Sequence, residues 1–226
     1  MRKGKGMQDE GLRKKLAEYG RRLMAEGLVT GPGGNISARS ENLIYVSPSG
    51  LAFDEMGPED YVGVDLNTGE VLEEERRPSS ESLVHLACYR KRADIGAVIH
   101  THPRYIVALT SSGHDIKAMF PDFHIYTHSK TPHIDYITVN TRELADSVEN
   151  VVDDANVIVL RNHGAVALGG HLKEAYYRMA SLEEGAQVQW LALMVGKPRF
   201  LTKQELAELD GLGTEKYRRK LLEQSE

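Results

Sequence analysis

The stretch "AVIHTHPRY", residues 97–105, carries His100 and His102 one residue apart at the end of an apolar run, with Pro103 directly behind them. On an extended strand alternate side chains share a face, so both imidazoles would project to one side while Ile99 and Thr101 face the other. Pro103 cannot donate to a sheet ladder, which stops the strand and leaves the pair at its end. A third imidazole, His163 in "VLRNHGAV", also follows an apolar run and precedes Gly164, a residue able to turn the backbone sharply. Three imidazoles from two strand ends would hold a divalent cation and leave it an open coordination position, the arrangement of a catalytic zinc site. Zn2+ is the first expectation, and Mn2+ and Co2+ fit the same nitrogen donors.

Glu81 in "RPSSE" is the next chemical group. As an early helix residue its carboxylate suits the unpaired amides and positive end of a helix dipole; beside a metal the same carboxylate would be a general base. Both roles stand open on the residues alone. Pro78, Ser79 and Ser80 ahead of it offer hydroxyls and helix-start amides, a natural phosphate cradle. Asn35 after Gly33 and Gly34, and Ser47, Ser49 and Gly50 in the "SPSG" turn, would close it. His85 lies one helical turn beyond Glu81 and is expected to pair with it. His114, His124, His128, His133 and His171 sit in polar or irregular surroundings and read as exposed or behind the site.

The elements that must position these groups are legible in the periodicity. Leu12, Leu16, Tyr19, Leu23 and Leu28 recur at helical spacing, with Gly27 suited to the helix end. "TGPGGNISAR" reads as a glycine-rich loop, "NLIYVSPSG" as a strand closed by a turn, and "YVGVDLNTGEVL" as a hairpin turning at Asn67, Thr68 and Gly69. "RPSSESLVHLACYRKR" predicts a serine-capped helix with Leu83, Leu86, Ala87 and Arg90 inward and Arg90, Lys91 and Arg92 closing its last turn. "GAVIHTH" is a strand, "YIVALTSS" a short helix and "DYITV" a strand. A capping box from Asn140 to Glu143 opens the next helix, which carries Leu144, Val148 and Val151 on one face. "NVIVLRNHGAVALGG" is two strands around residues 161–164, followed by a long helix over 173–195 and another capped by Thr202 and Glu205. Strands and helices interleave without strict alternation, which predicts one α/β domain over residues 1–226 with a central, mostly antiparallel or mixed sheet flanked by helices. "GPGG" follows a helix and is no dinucleotide fingerprint.

The 226 residues suffice for one sizeable core, and a formal net charge of -5 disfavours a nucleic-acid or anionic-membrane surface, so a small substrate is expected. No apolar stretch approaches the roughly twenty residues that span a bilayer, and the charged start lacks the apolar segment of a signal peptide. Basic residues at both ends (Arg2, Lys3 and Lys5; Lys216, Arg218, Arg219 and Lys220) read as solvated tails. The single cysteine, Cys88, precludes an internal disulfide, fits a reducing cytoplasm, and sits among Leu86, Ala87 and Tyr89 as a small buried hydrophobe.

"GPGGNIS", "YVSPSG", "RPSSE", "VIHTHP" and "LRNHGAV" follow one another in an order that resembles the class II aldolase/adducin superfamily, typified by fuculose-phosphate aldolases. The resemblance covers about residues 11–196 and leaves 197–226 as a helical tail. It implies a three-layer fold, assembled as a homotetramer with active sites at subunit interfaces. His100, His102 and His163 would then ligate the metal, Glu81 would be the catalytic acid/base, and Asn35, Ser49, Gly50, Ser79 and Ser80 would hold a substrate phosphate. A tyrosine from the neighbouring subunit would protonate the aldehyde oxygen; in "FPDFHIYTHSK" the choice is Tyr126, with His124 as competitor. The implied reaction is reversible cleavage of a 1-phosphoketose, fuculose-1-phosphate-like, to dihydroxyacetone phosphate and an aldehyde through a metal-stabilised enediolate. Other chemistries on the same fold are a sugar-phosphate 4-epimerase, a methylthioribulose-phosphate dehydratase and a phosphotetronate decarboxylase, and the fold also serves a non-catalytic adducin-like interaction module. Glu81 where epimerases tend to carry Asp favours the aldolase, and the three histidines disfavour the module.

Overall fold

The computed structural model describes residues 6–72, 76–128 and 130–224. Seven strands form one sheet: β1 (Asn35–Ser40), β2 (Leu43–Val46), β3 (Val62–Asp65), β4 (Ala97–Thr101), β5 (His133–Ile134), β6 (Val157–Leu160) and β7 (Gly164–Gly169), in the order β3-β2-β1-β4-β7-β6-β5. Every pairing is antiparallel except β5 with β6. Both faces of the sheet are covered. Ile36 and Ala38 of β1, Ala97 and Ile99 of β4, and Ala165 and Ala167 of β7 pack on one side with α1 (Gly6–Ala25), α3 (Arg104–Ser111) and α6 (Leu172–Val195). Val98, Val166 and Leu168 pack on the other with α2 (Ser82–Lys91) and α5 (Arg142–Glu149). The result is the expected three-layer α/β fold, and burial on both faces is why β4, β6 and β7 read as unbroken apolar runs.

The remaining helices are α4 (Pro121–Thr127), α7 (Lys203–Gly211) and α8 (Gly213–Glu223). The capping box of Thr202 and Glu205 opens α7 as expected. Arg218 and Arg219 are more than a solvated tail: Arg218, though exposed, reaches Asp122 of α4 at 3.2 Å, and half-buried Arg219 reaches His128 at 3.2 Å and Asp210 at 2.5 Å, so the C-terminal helices are tied back to α4. Arg2, Lys3 and Lys5 lie outside the described residues. Among the described residues no helix is long and apolar enough to cross a membrane.

Several elements differ from the sequence expectation, each for a local reason. "NISARS" is not loop but strand β1, near the middle of the sheet; its second face carries Asn35 and Ser37 into a buried polar network, which makes the run look hydrophilic. The α4 segment hides its helical period because it is buried against α6 on one side and the C-terminal helices on another. The hairpin survives as a turn closed by Asp65, whose side chain accepts the Asn67 and Thr68 amides, but its return is a single bridge from Val71 to Val64. "DYITV" is displaced: the strand is His133–Ile134, paired in parallel with β6. The cap of α5 is Thr141, which accepts the Leu144 amide at 3.3 Å, and not Asn140. Helix α2 starts one residue after Glu81, without a serine cap, and buries Val84 through Tyr89, while Leu83 is half-buried and Arg90 exposed. Cys88 is buried as expected.

Candidate active site

Antiparallel register sets Asn35 of β1 opposite His100 of β4, and His100 opposite Val166 of β7. His102 follows directly after β4, and His163 sits in the tight turn joining β6 to β7, where its amide donates to the Leu160 carbonyl at 3.1 Å. The loop before β1 crosses the same strand end, and Gly34 holds it there. Gly34 has φ +71°, and a Cβ on it would lie 2.8 Å from the His100 carbonyl oxygen, so no other residue fits.

A Cβ on Gly164 would lie 2.2 Å from the Thr101 carbonyl oxygen and 3.0 Å from the His102 ring. Gly164→Ala is therefore expected to cost about 1–3 kcal/mol of stability, as overpacking against backbone does, and to weaken metal retention in parallel. Thermal denaturation and metal analysis of the purified variant check both.

The three imidazoles converge. Ring centroids of His100 and His102, of His100 and His163, and of His102 and His163 are 4.8, 4.8 and 5.0 Å apart. Glu81 joins them, with Oε2 3.1 Å from His100 Nε2 and Oε1 3.4 Å from His163 Nε2. All four offer ligand atoms within 4.8 Å of one another. His100 Nδ1–H donates to the Ala165 carbonyl at 2.9 Å, which orients the ring and turns Nε2 toward the cluster, 3.0 Å from His102 Nε2. Glu81 Oε1 and His163 Nδ1 are buried with no hydrogen-bond partner. Such orphaned atoms are normally satisfied by something, and a divalent cation fits a set of three nitrogens and a carboxylate.

Electrostatics support the same assignment. Loss of hydration, reinforced by the neighbouring charge of His100, lowers the pKa of both His102 and His163 to about 4, so both are neutral near pH 7, the form that ligates. Burial alone would push the Glu81 carboxyl up. The hydrogen bond and charge of His100, the charge His163 takes up only at low pH, and the Asn35 amide outweigh it and hold Glu81 well below the usual carboxylate range, so it is ionised.

The predicted phosphate loops lie side by side at the start of α2. Ser49 N–H donates to the Arg77 carbonyl and Ser79 N–H to the Ser47 carbonyl, both at 3.0 Å, with Pro48 and Pro78 bridged between them. Ser49, Gly50 and Ser80 are exposed there, while the Ser79 hydroxyl accepts the Glu81 amide at 3.3 Å. Asn35, expected beside them, is instead buried, with its Nδ2 donating to Glu81 Oε2 at 3.1 Å. His85 does not pair with Glu81: its ring is turned to Asn35 and Ser37, across the helix–sheet interface. Tyr126 is half-buried on α4, stacked on Tyr177 with ring centroids 6.1 Å apart, and accepts from Arg218 at 3.4 Å. His124 is bonded to Asp210 at 2.9 Å. The sequence reading missed Ser37 and Tyr89, although Glu81, His85 and Tyr89 fall one turn apart on α2, a polar stripe on a buried helix face.

Residues 14–190 match the family of the class II aldolase and adducin N-terminal domain. The 5-deoxy-D-ribulose 1-phosphate aldolase of Bacillus thuringiensis serovar kurstaki is 36% identical over 199 residues, 87% of this chain and 92% of that protein. The L-fuculose phosphate aldolase of Methanococcus maripaludis is 37% identical over 163 residues, 72% and 87% of the two chains. Among solved structures, the L-fuculose-1-phosphate aldolase of Thermus thermophilus superposes with a TM-score of 0.72 at 32% identity, over 84% of this chain and 98% of that one. The chain belongs to the class II aldolase and adducin family, and it stands with that family's sugar-phosphate aldolase enzymes.

Proposed function

We propose that this enzyme reversibly cleaves a 1-phosphoketose to dihydroxyacetone phosphate and an aldehyde. The observation that carries the reading is an ionised Glu81 held against three converging imidazoles beside two paired serine loops at a helix start. His100, His102 and His163 would hold a divalent cation, zinc first and manganese or cobalt as substitutes. When bound, the cation draws electron density from the substrate's carbonyl and hydroxyl oxygens and so eases carbon–carbon scission without a lysine Schiff base. Ser49, Gly50, Ser79 and Ser80 bind the phosphate, which supplies binding energy remote from the breaking bond. Asn35, expected at the phosphate, gives one of its two amide hydrogens to Glu81 Oε2, and its second hydrogen is the one it would offer to substrate.

Glu81 takes a proton from the hydroxymethyl carbon of dihydroxyacetone phosphate in the synthetic direction and returns it on cleavage. Tyr126 of a neighbouring copy exchanges the proton of the aldehyde oxygen, in a homotetramer whose sites lie between subunits. Exposed Trp190, Leu191, Met194 and Val195 at the end of α6 supply apolar surface for such assembly. The lone buried Cys88 supports a reducing, cytoplasmic setting for this work.

The relatives' names divide the substrate between a five-carbon and a six-carbon ketose phosphate. Metal-loaded protein incubated with the 1-phosphates of fuculose, rhamnulose, ribulose and 5-deoxyribulose, coupled to glycerol-phosphate dehydrogenase, decides. Triose-phosphate release from at least one is expected. None from any of the four would overturn the aldolase reading in favour of the dehydratase, decarboxylase or epimerase.

A further inference from the structure

Behind Glu81 runs a buried chain of polar groups that ends on its carboxylate. Tyr89 Oη and Ser37 Oγ are 2.9 Å apart, Ser37 Oγ and His85 Nδ1 2.6 Å, His85 Nε2 and Asn35 Oδ1 2.5 Å, and Asn35 Nδ2 and Glu81 Oε2 3.1 Å. Asn35 and Ser37 come from one face of β1, His85 and Tyr89 from one face of α2 and Glu81 from its N-cap, and all five side chains are buried.

Hydrogen positions follow by elimination. The Glu81 carboxylate only accepts, so Asn35 turns its amino group to it and its carbonyl oxygen to His85. That oxygen also only accepts, so His85 Nε2 carries a hydrogen. Burial keeps His85 neutral, with its pKa pushed down to about 3, so Nδ1 is bare and accepts from the Ser37 hydroxyl. Ser37 in turn accepts from Tyr89. Every donor in the chain points toward Glu81.

We propose that His85 is a positioning residue: its Nε2–H locks the Asn35 amide so that Asn35 anchors Glu81 Oε2 and leaves Oε1 as the proton-exchanging atom. Oε1 is the carboxylate oxygen without a hydrogen-bond partner. Were the Asn35 amide to rotate by half a turn, its carbonyl would face the carboxylate, acceptor against acceptor. The His85 hydrogen forbids that rotation. The inference rests on Glu81 being the acid/base of the proposed reaction.

Two measurements test it. Two-bond proton–nitrogen correlation spectra of 15N-labelled, metal-free protein near neutral pH should show His85 as the neutral Nε2–H tautomer. An Nδ1–H tautomer or an imidazolium overturns the proposal, whatever Glu81 does. In turnover, His85→Leu removes the hydrogen at similar volume and should lower kcat about 10–100-fold, as loss of an orienting partner does, with KM within about twofold and metal content unchanged. His85→Gln places an amide nitrogen near the Nε2 position and should recover most of that loss. A Leu variant as active as wild type, or a folded Gln variant no better than Leu, overturns the positioning role. If the Leu variant does not fold, the tautomer and the Gln variant still decide. Failure of the underlying reading is distinguishable, because it appears as a fully active Glu81→Gln variant with the His85 tautomer still in place.

Discussion

Glu81→Gln is expected to lower turnover by about 10²- to 10⁴-fold, the usual worth of a positioned acid/base group, while the protein keeps its full complement of metal. The substitution is nearly isosteric, and a Gln carbonyl can accept the Asn35 hydrogen bond now made to Oε2. Its amide nitrogen would then occupy the Oε1 position, where nothing is bonded and a second donor faces no clash. The fold is therefore preserved, and the three imidazoles remain to bind the cation. What disappears is the cluster's only carboxylate among the described residues, and with it a group able to take up and return a proton at carbon. Steady-state release of triose phosphate, read beside metal content, separates the outcomes. Wild-type kcat would remove Glu81 from the mechanism. Loss of activity together with metal would make it a ligand instead.

The histidines were legible because their surroundings are simple. β4, β6 and β7 are buried on both faces, so each is a short apolar run, and a histidine at the end of such a run stands out as a residue the core does not need. The helix that carries Glu81 was legible too, though its boundaries were not. The position of β1 was hidden by the requirement it serves. A strand that turns Asn35 and Ser37 into a buried network must be polar on a covered face, and polarity on a strand normally signals solvent. His85 was misassigned for a related reason. Spacing along a helix says that Glu81 and His85 share a face, but whether they bond depends on what the sheet presents between them, and here it presents Asn35. Neighbours along a helix can be counted from the chain; a partner from the opposite layer cannot. Arg218 and Arg219 make the same point at the surface, where a basic run that reads as solvated is the clasp between α8 and α4.

His102→Ala should release the metal and with it all measurable activity, and of the three histidines it gives the clearest test. His100 is buried within β4 and bonded to the Ala165 carbonyl, so its removal would open a cavity and strand a polar group as well as deleting a ligand. His163 sits in the turn that sets the start of β7. His102 lies beyond the last paired residue of β4 and is exposed, so an alanine there disturbs little of the core. Linkage then supplies a readout independent of turnover. A cation that binds only the folded state stabilises it by roughly 4 kcal/mol when its free concentration is about 1,000 times its Kd. Wild-type protein should thus lose several degrees of Tm on chelation and regain them on adding Zn2+, whereas the His102→Ala variant should melt at the chelated wild-type temperature and respond to neither treatment. A variant that keeps stoichiometric metal through dialysis, or whose Tm still falls with chelator, would show that the cation does not depend on the three-imidazole cluster.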